Sequence, residues 1–155
     1  MTRQPALHTA SARFPRLVRL LAWALCALAL APLAHAAPLS AADELAVRSA
    51  VQGQLAAFAA DDAPLAFSYA APNVREAMGS AAGFMAMVRE AYPVVYRPAS
   101  VAFLKPDNRD GQVFQRVQMV DAAGEGWLAT YSLQRGGKGW LITGCVVVVN
   151  KGRMA

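Results

Sequence analysis

Histidine and cysteine are scarce in this sequence, and their positions exclude several kinds of catalytic site. Both histidines, His8 and His35, lie within the first 36 residues, and the two cysteines are Cys26 and Cys145. If those 36 residues are removed, the remaining chain has no histidine and a single cysteine. Such a chain supports neither a Ser-His-Asp nor a Cys-His mechanism, and one thiolate is too few for a structural zinc site. We therefore predict no metal and no catalytic residue of these kinds.

A glycine-rich nucleotide loop is also missing. The densest run of glycine, at 136–139, reads Gly-Gly-Lys-Gly and fits neither the Walker nor the dinucleotide pattern. This run is typical of a turn between two strands. We therefore expect no nucleotide and no other cofactor.

The N-terminal segment lacks an apolar run long enough to cross a bilayer. Residues 20–31 are continuously apolar, but a run of about twelve falls short of the ~20 residues that a membrane helix needs. Arginines precede this run, and Ala-His-Ala at 34–36 follows it as a small-x-small cleavage site. The pattern predicts a signal peptide over residues 1–36, cleavage after Ala36, and a periplasmic or secreted protein. An uncleaved anchor or a cytosolic amphipathic arm is the alternative.

Most of the positive charge belongs to this leader. The whole chain has 15 Lys and Arg against 10 Asp and Glu. Removing residues 1–36 takes away four arginines and no acid, which leaves eleven basic against ten acidic residues. A chain so close to neutral has no electrostatic reason to bind nucleic acid or an acidic membrane surface. We expect neither partner after cleavage, and the range 37–155 is long enough for one domain with one core.

The first half of that domain has the spacing of short, capped helices. Ser40 is a good N-cap for a first helix, whose apolar positions recur every three or four residues: Val47, Val51, Leu55 and Phe58. A second helix is predicted to begin at Asp61 or Asp62, and a third at Asn73.

A fourth helix is predicted to begin at Ser80 and to end before Pro93, because proline has no N–H and disfavours a helical residue before it. Val94 and Val95 are then expected to be extended, since β-branched residues favour strands.

The second half of the domain alternates with period two, which predicts strands. Four strands are expected near residues 101–103, 113–119, 127–134 and 140–149, with turns at 106–111 and 121–124. Short connections require antiparallel pairing. The last strand is apolar on both faces, so we expect it at the centre of the sheet or in a subunit interface. The predicted fold is α+β, with three or four short helices packed on a curved four-stranded antiparallel sheet.

Three ordered motifs resemble a known family. The central one is Phe84-x-x-Met-Val-Arg-x-x-Tyr92-Pro-x-x-Tyr-Arg-Pro98, and it is flanked by residues 56–62 and by Trp140-x-Ile-x-Gly-Cys145. From about residue 47 to 149 the chain is similar to the bacterial domain-of-unknown-function family 4864, a family of small exported proteins. The resemblance implies no activity, because the family has none established. More loosely, the fold resembles the cystatin and ketosteroid-isomerase type.

Three polar side chains flank the prolines at the junction of helix and sheet: Tyr92, Tyr96 and Arg97. Arg89 joins them in our candidate ligand site because it lies within the family motif. Hydroxyl and guanidinium groups here would rim a pocket for a polar or anionic ligand. Alternatively, the prolines fix a chain reversal and the aromatic rings pack beneath it.

Cys145 is the only thiol of the mature chain and lies in an apolar strand. A buried free cysteine acts as a small hydrophobic residue. A reactive thiol and an intermolecular disulfide are the alternatives in an oxidising compartment. No lysine or arginine in its strand would lower its pKa.

Apart from Glu76 and Glu90, which lie in predicted helices, the acids beyond the first helix lie at caps and turns. None lies within a predicted strand, so the sequence offers few candidates for a catalytic base inside a pocket. We predict an exported, non-catalytic module that binds a small ligand or a periplasmic protein partner. One alternative is an isomerase- or hydrolase-like enzyme that uses Glu90 or Asp62 with a tyrosine. Another is a structural accessory protein that forms a homodimer through its last strand. A closed pocket without acids favours the first function, a buried carboxylate the second, and an open sheet face the third.

Overall fold

The computed structural model describes residues 38–152, and the statements below concern that range. The predicted signal peptide, residues 1–36, lies outside the described residues. The helices are α1 (Ala41–Ala59), α2 (Ala63–Ser68), α3 (Pro72–Met78), α4 (Ala81–Ala91) and α5 (Pro93–Tyr96). The strands are β1 (Ser100–Phe103), β2 (Asp107–Arg109), β3 (Gln112–Val120), β4 (Gly126–Gly136) and β5 (Gly139–Val149). None of the helices in this range is both long and apolar enough to span a membrane.

Three of the predicted helix starts are confirmed, and each has a side-chain cap. The hydroxyl of Ser40 accepts from the backbone N–H of Asp43 at 3.1 Å. Asp62 accepts from Leu65 N–H at 3.0 Å, and Ser80 does the same for Gly83. These bonds satisfy donors that lack a partner in the first turn of a helix. The predicted apolar stripe of α1 is fully buried.

The prediction that Asn73 caps the third helix is wrong. Helix α3 begins one residue earlier, at Pro72, and Ala71 is its cap without a side-chain bond. Proline suits the first helical position because no partner is needed for an N–H there. The side chain of Asn73 instead donates to the carbonyl of Thr143 on β5, at 3.3 Å.

The extended conformation predicted for Val94 and Val95 is also wrong. Pro93 does end α4, but it is also the first residue of the short helix α5. Tyr92 lies between them with φ −134° and ψ 57°, which turns the chain. Both valines are buried in this turn of helix. Burial and the fixed φ of proline outweigh the weak preference of valine for strands.

The sheet is antiparallel throughout, with the order β1-β3-β4-β5, and β2 also pairs with β3. The α+β class is confirmed, with five strands in place of the predicted four. The extra strand is β2, which lies within the predicted turn 106–111. It pairs with the start of β3 through Asp110 and Gly111, both of which have positive φ. Strands β1 and β2 therefore share one edge of β3.

A central position for the last strand is wrong. Strand β5 lies at the edge of the sheet, with β4 as its only strand neighbour in the described range. One point of its outer edge is covered: Ile142 donates to the carbonyl of Tyr69 and accepts from the N–H of Ala71, both at 2.8 Å. From Cys145 to Val149 the described residues provide no such bridge. The alternative, that this strand forms a subunit interface, stays a prediction.

The helices cover the inner face of the sheet, where alternate residues of β3 and β4 are buried as predicted. One buried residue of that face was missed: Gln115 is completely inaccessible. Its amide nitrogen donates to the carbonyls of Leu104 at 2.6 Å and Arg116 at 2.9 Å. The amide thus supplies a hydrogen bond to Leu104 where the edge passes from β1 to β2 and the backbone pairing is interrupted.

Candidate functional site

Three of the four residues predicted to form a ligand site converge on one carboxylate. Asp61, at the end of α1, accepts from Arg89 at 2.6 Å and from Arg97 at 2.9 Å. The hydroxyl of Tyr96 donates to the same carboxylate. We call these four residues the Asp61 cluster. The sequence pattern predicts Asp61 only as a possible helix cap; in the structure it has a positive φ of 58°.

Cation–π contacts hold the two guanidinium groups of the cluster in place. The Cζ atoms of Arg89 and Arg97 lie 5.0 and 4.9 Å from the centroid of the Tyr96 ring. The hydrogen bond from Tyr96 and then that from Arg89 lower the pKa of Asp61. The charged side chains are roughly half exposed. Because Asp61 already takes the position that an anion would take, the cluster acts as a clamp between α1 and the α4–α5 junction.

Tyr92, the fourth predicted residue, does not join the cluster. It lines two separate cavities, which we call the outer cleft and the inner cavity. The outer cleft has a volume of about 400 Å³ and includes Arg97, Asp121 and Trp127. Both of its charged groups are already engaged, since Arg97 pairs with Asp61 and Asp121 accepts from the indole N–H of Trp127 at 2.8 Å.

The inner cavity lies between the helices and the inner face of β4 and β5, and has a volume of about 260 Å³. Its walls are mainly apolar, with contributions from Phe58, Phe84, Met87 and Ile142 among others. None of the described residues that line it is charged. Its polar side chains are Gln54, Tyr92, Tyr131 and Cys145.

Tyr131 and Cys145 occupy paired positions on β4 and β5 and both line the inner cavity. Tyr131 is only 1% exposed, and its hydroxyl has no hydrogen-bond partner in the described part of the chain. Burial, with the nearby thiol, raises the pKa of Tyr131 well above its usual value. Burial likewise raises the pKa of Cys145 to about 12, and the neighbouring Tyr131 hydroxyl opposes that rise. Both groups are therefore protonated at neutral pH.

The high pKa makes Cys145 a poor nucleophile, because the thiolate is the reactive form. Among residues 38–152 it forms no disulfide. Tyr131 was missed as a functional residue, since the alternation of β4 placed it only on the inner face. A tyrosine at a buried strand position, whose hydroxyl needs a partner, was the signal that could have identified it.

Neither carboxylate considered as a catalytic base lines the inner cavity. Asp62 is exposed and caps α2, and Glu90 is exposed on α4. Within residues 38–152, no three or more histidine, cysteine or acidic residues lie together as a metal site requires. The chemistry available to the cavity is hydrogen bonding and apolar contact.

The chain forms a small α+β domain in which helices pack on one face of an antiparallel sheet. A pocket lined by uncharged residues lies between the helices and the sheet. The family model described as Domain of unknown function (DUF4864) matches residues 40–155, and the chain belongs to that family. The resemblance seen in the three motifs is thereby confirmed. No curated protein and no solved structure matches the chain significantly. The looser likeness to cystatins and ketosteroid isomerase stays a prediction.

Proposed function

We propose that this protein is an exported, non-catalytic module that binds a small, largely apolar molecule in the inner cavity. The observation that carries the proposal is a space of about 260 Å³ lined without a charged side chain, between the helices and the sheet. This volume lies between the ~150 Å³ cavity that accepts benzene and the ~300–1,000 Å³ of pockets for drug-sized ligands.

The cavity is poorly suited to catalysis by acid–base or covalent chemistry. A general base must reach the reacting proton, yet no carboxylate or histidine lines this space among the described residues. The Tyr131 phenol and the Cys145 thiol are both protonated at neutral pH, for the reasons given above. These features support binding over turnover.

Export is part of the proposal and rests on the sequence pattern of residues 1–36. The mature chain would carry a nearly balanced charge and a single cysteine into the periplasm. Native mass spectrometry of protein isolated from the periplasm tests processing and ligand retention together. We expect the mass of residues 37–155, with a non-covalent adduct of small molecular mass. A mass that still includes residues 1–36 contradicts export by cleavage.

Binding in the cavity is tested with a variant that fills it. Val74 lines the cavity from α3, so Val74→Trp should occupy the space and abolish binding of small aromatic probes, as measured by ligand-observed NMR. Leu45→Trp on α1 is the matched control, because Leu45 is 66% exposed and lies outside the cavity. If the unmodified protein binds no apolar probe at millimolar concentration, or if both variants bind equally well, the proposed function is wrong.

A dimerising role is the second candidate, and one observation favours it. The outer edge of β5 has no partner from Cys145 to Val149 in the described range, and this stretch contains no charge. Val146, Val148 and Val149 are exposed there. Natural proteins usually protect such edges with charges, prolines or bulges. Pairing with a second copy would cover the edge and leave the inner cavity unchanged.

A further inference from the structure

We infer that the molecule bound in the inner cavity is uncharged and carries a hydrogen-bond acceptor, such as a ketone, ester or ether oxygen, which accepts a hydrogen bond from the Tyr131 hydroxyl. This inference rests on the proposed function, because it names the class of ligand for the same cavity. It assigns Tyr131 as the residue that determines specificity.

The first step is the missing partner of Tyr131. Its side chain is almost completely buried on β4, and no described residue forms a hydrogen bond with its hydroxyl. Buried polar groups are nearly always paired, so an unpaired one needs an explanation. Because this side chain lines the inner cavity, a ligand in the cavity is in a position to supply the partner.

The second step is the kind of partner that the cavity requires. A protonated phenol donates one hydrogen bond, and burial keeps Tyr131 protonated. Cys145, across the strand pair, provides a thiol whose sulfur is only a weak acceptor and forms no hydrogen bond with the Tyr131 hydroxyl. The amide nitrogen of Gln54 already donates to the carbonyl of Ala66 at 3.2 Å. The group that Tyr131 lacks is an acceptor.

The third step is the absence of charge. The described walls of the inner cavity contain no lysine, arginine, aspartate or glutamate. An ion placed there would lose its hydration without gaining a counter-charge, which is strongly unfavourable. Arg97 and Asp121 belong to the outer cleft and do not line the inner cavity. The ligand is therefore an apolar body of about one ring with a single acceptor.

The test compares two probes that differ only in the acceptor. Acetophenone and ethylbenzene have nearly the same shape, but only acetophenone has a carbonyl. Their Kd values are measured by NMR titration with the mature full chain, and with Tyr131→Phe and Tyr96→Phe variants. Tyr96 belongs to the Asp61 cluster and does not line the cavity, so Tyr96→Phe controls for the loss of a hydroxyl elsewhere.

We compare the Kd of acetophenone divided by the Kd of ethylbenzene. We expect this ratio to be about five- to tenfold higher for Tyr131→Phe than for the unmodified protein. The two probes differ in hydration free energy, but this difference is the same for every protein variant. It therefore cancels when the ratio is compared between variants. The ratio should be unchanged in Tyr96→Phe, and ethylbenzene should bind Tyr131→Phe within about twofold of its original affinity. An unchanged ratio in Tyr131→Phe overturns the inference.

A second measurement avoids any dependence on the folding of Tyr131→Phe. The carbonyl stretching band of bound acetophenone should move to lower frequency than in an apolar solvent, because hydrogen bonding weakens the C=O bond. A band at the apolar-solvent position overturns the inference, as does binding of benzoate at least as tight as that of acetophenone. If neither acetophenone nor ethylbenzene binds, the proposed function itself fails. If both bind without involvement of Tyr131, only the inference fails.

Discussion

Asp61 and Arg89 lie 28 residues apart in the chain, and their side chains form an ion pair of 2.6 Å. Asp61 lies just beyond the C-cap of α1, whereas Arg89 lies in the last turn of α4. With Tyr96 and Arg97, the pair fixes the turn at Tyr92 against the end of α1. Tyr92 lines both cavities from that turn, and none of the four cluster residues lines the inner cavity.

The Asp61 cluster should make stability depend on acid pH. Since the folded-state pKa of Asp61 is below its ordinary value of 3.8, its ion pairs contribute stability above that value, and the contribution is lost as the pH falls through the folded-state pKa. We expect Asp61→Asn to lower Tm at pH 7 and to reduce the fall in Tm between about pH 5 and 2. Thermal melts over that range provide the measurement.

Asp110→Asn is the matched control for this substitution. Asp110 also has a positive φ, of 52°, and no ion pair is found for it in the described range. The Tm of Asp110→Asn should change with pH in the same way as the Tm of the unmodified protein. If Asp61→Asn does so as well, the cluster contributes nothing to stability.

Gly53, in the middle of α1, should be needed for packing despite its poor helix propensity. An alanine Cβ at this position would overlap the phenol end of the Tyr69 side chain. Replacing glycine by alanine inside a helix is otherwise stabilising by about 0.5–1 kcal/mol. We expect Gly53→Ala to lower the free energy of unfolding, measured by chemical denaturation.

The same substitution should change sign once the Tyr69 ring is removed. In a Tyr69→Ala background, Gly53→Ala should raise the free energy of unfolding by up to about 1 kcal/mol. Equal effects in the two backgrounds would show that Tyr69 does not restrict this position.

Cys145 should react slowly while the protein is folded. With its pKa at about 12, only about one thiol in ten thousand is ionised at pH 8, against a substantial fraction of free cysteine. We expect alkylation by iodoacetamide to be about a hundredfold slower, or more, than that of free cysteine. Unfolding in urea should restore the ordinary rate. A fast reaction of the folded protein would support the reactive thiol or the intermolecular disulfide.

The open edge of β5 should control any self-association. If copies pair through this edge, a lysine there would place like charges opposite each other and oppose pairing. Val146→Lys and Val148→Lys should therefore shift a dimer to monomer in sedimentation velocity experiments. Leu45→Lys, at another exposed apolar position, should leave the dimer intact. An unmodified protein that stays monomeric at high concentration would contradict the dimerising role.

Local chemistry made much of the fold predictable from the sequence. The caps at Ser40, Asp62 and Ser80 depend on residues within three positions of each, so the helix starts could be located. Alternation along β3 and β4 identified the inner face for a similar reason. The prediction failed at Val94 and Val95, because their strand preference is weaker than the effects of Pro93 and burial.

The candidate site was predictable only in part. The sequence placed Arg89, Tyr96 and Arg97 at one junction, and the structure does bring them together. It could not show that Asp61, 28 or more residues earlier, would neutralise part of their charge. Nor could it show the inner cavity, which is formed by residues from all the helices except α2 and from both of the last two strands.

The sequence by itself determined most of the helices and strands, the apolar face of α1, β3 and β4, and the family to which the chain belongs. The tertiary structure decided that β5 lies at an edge, because strand order depends on pairings that no local pattern encodes. It also decided that the Tyr131 hydroxyl is buried without a partner among the described residues. A hydrogen bond needs two groups at one point in space, and only the packing of distant segments determines whether both are there.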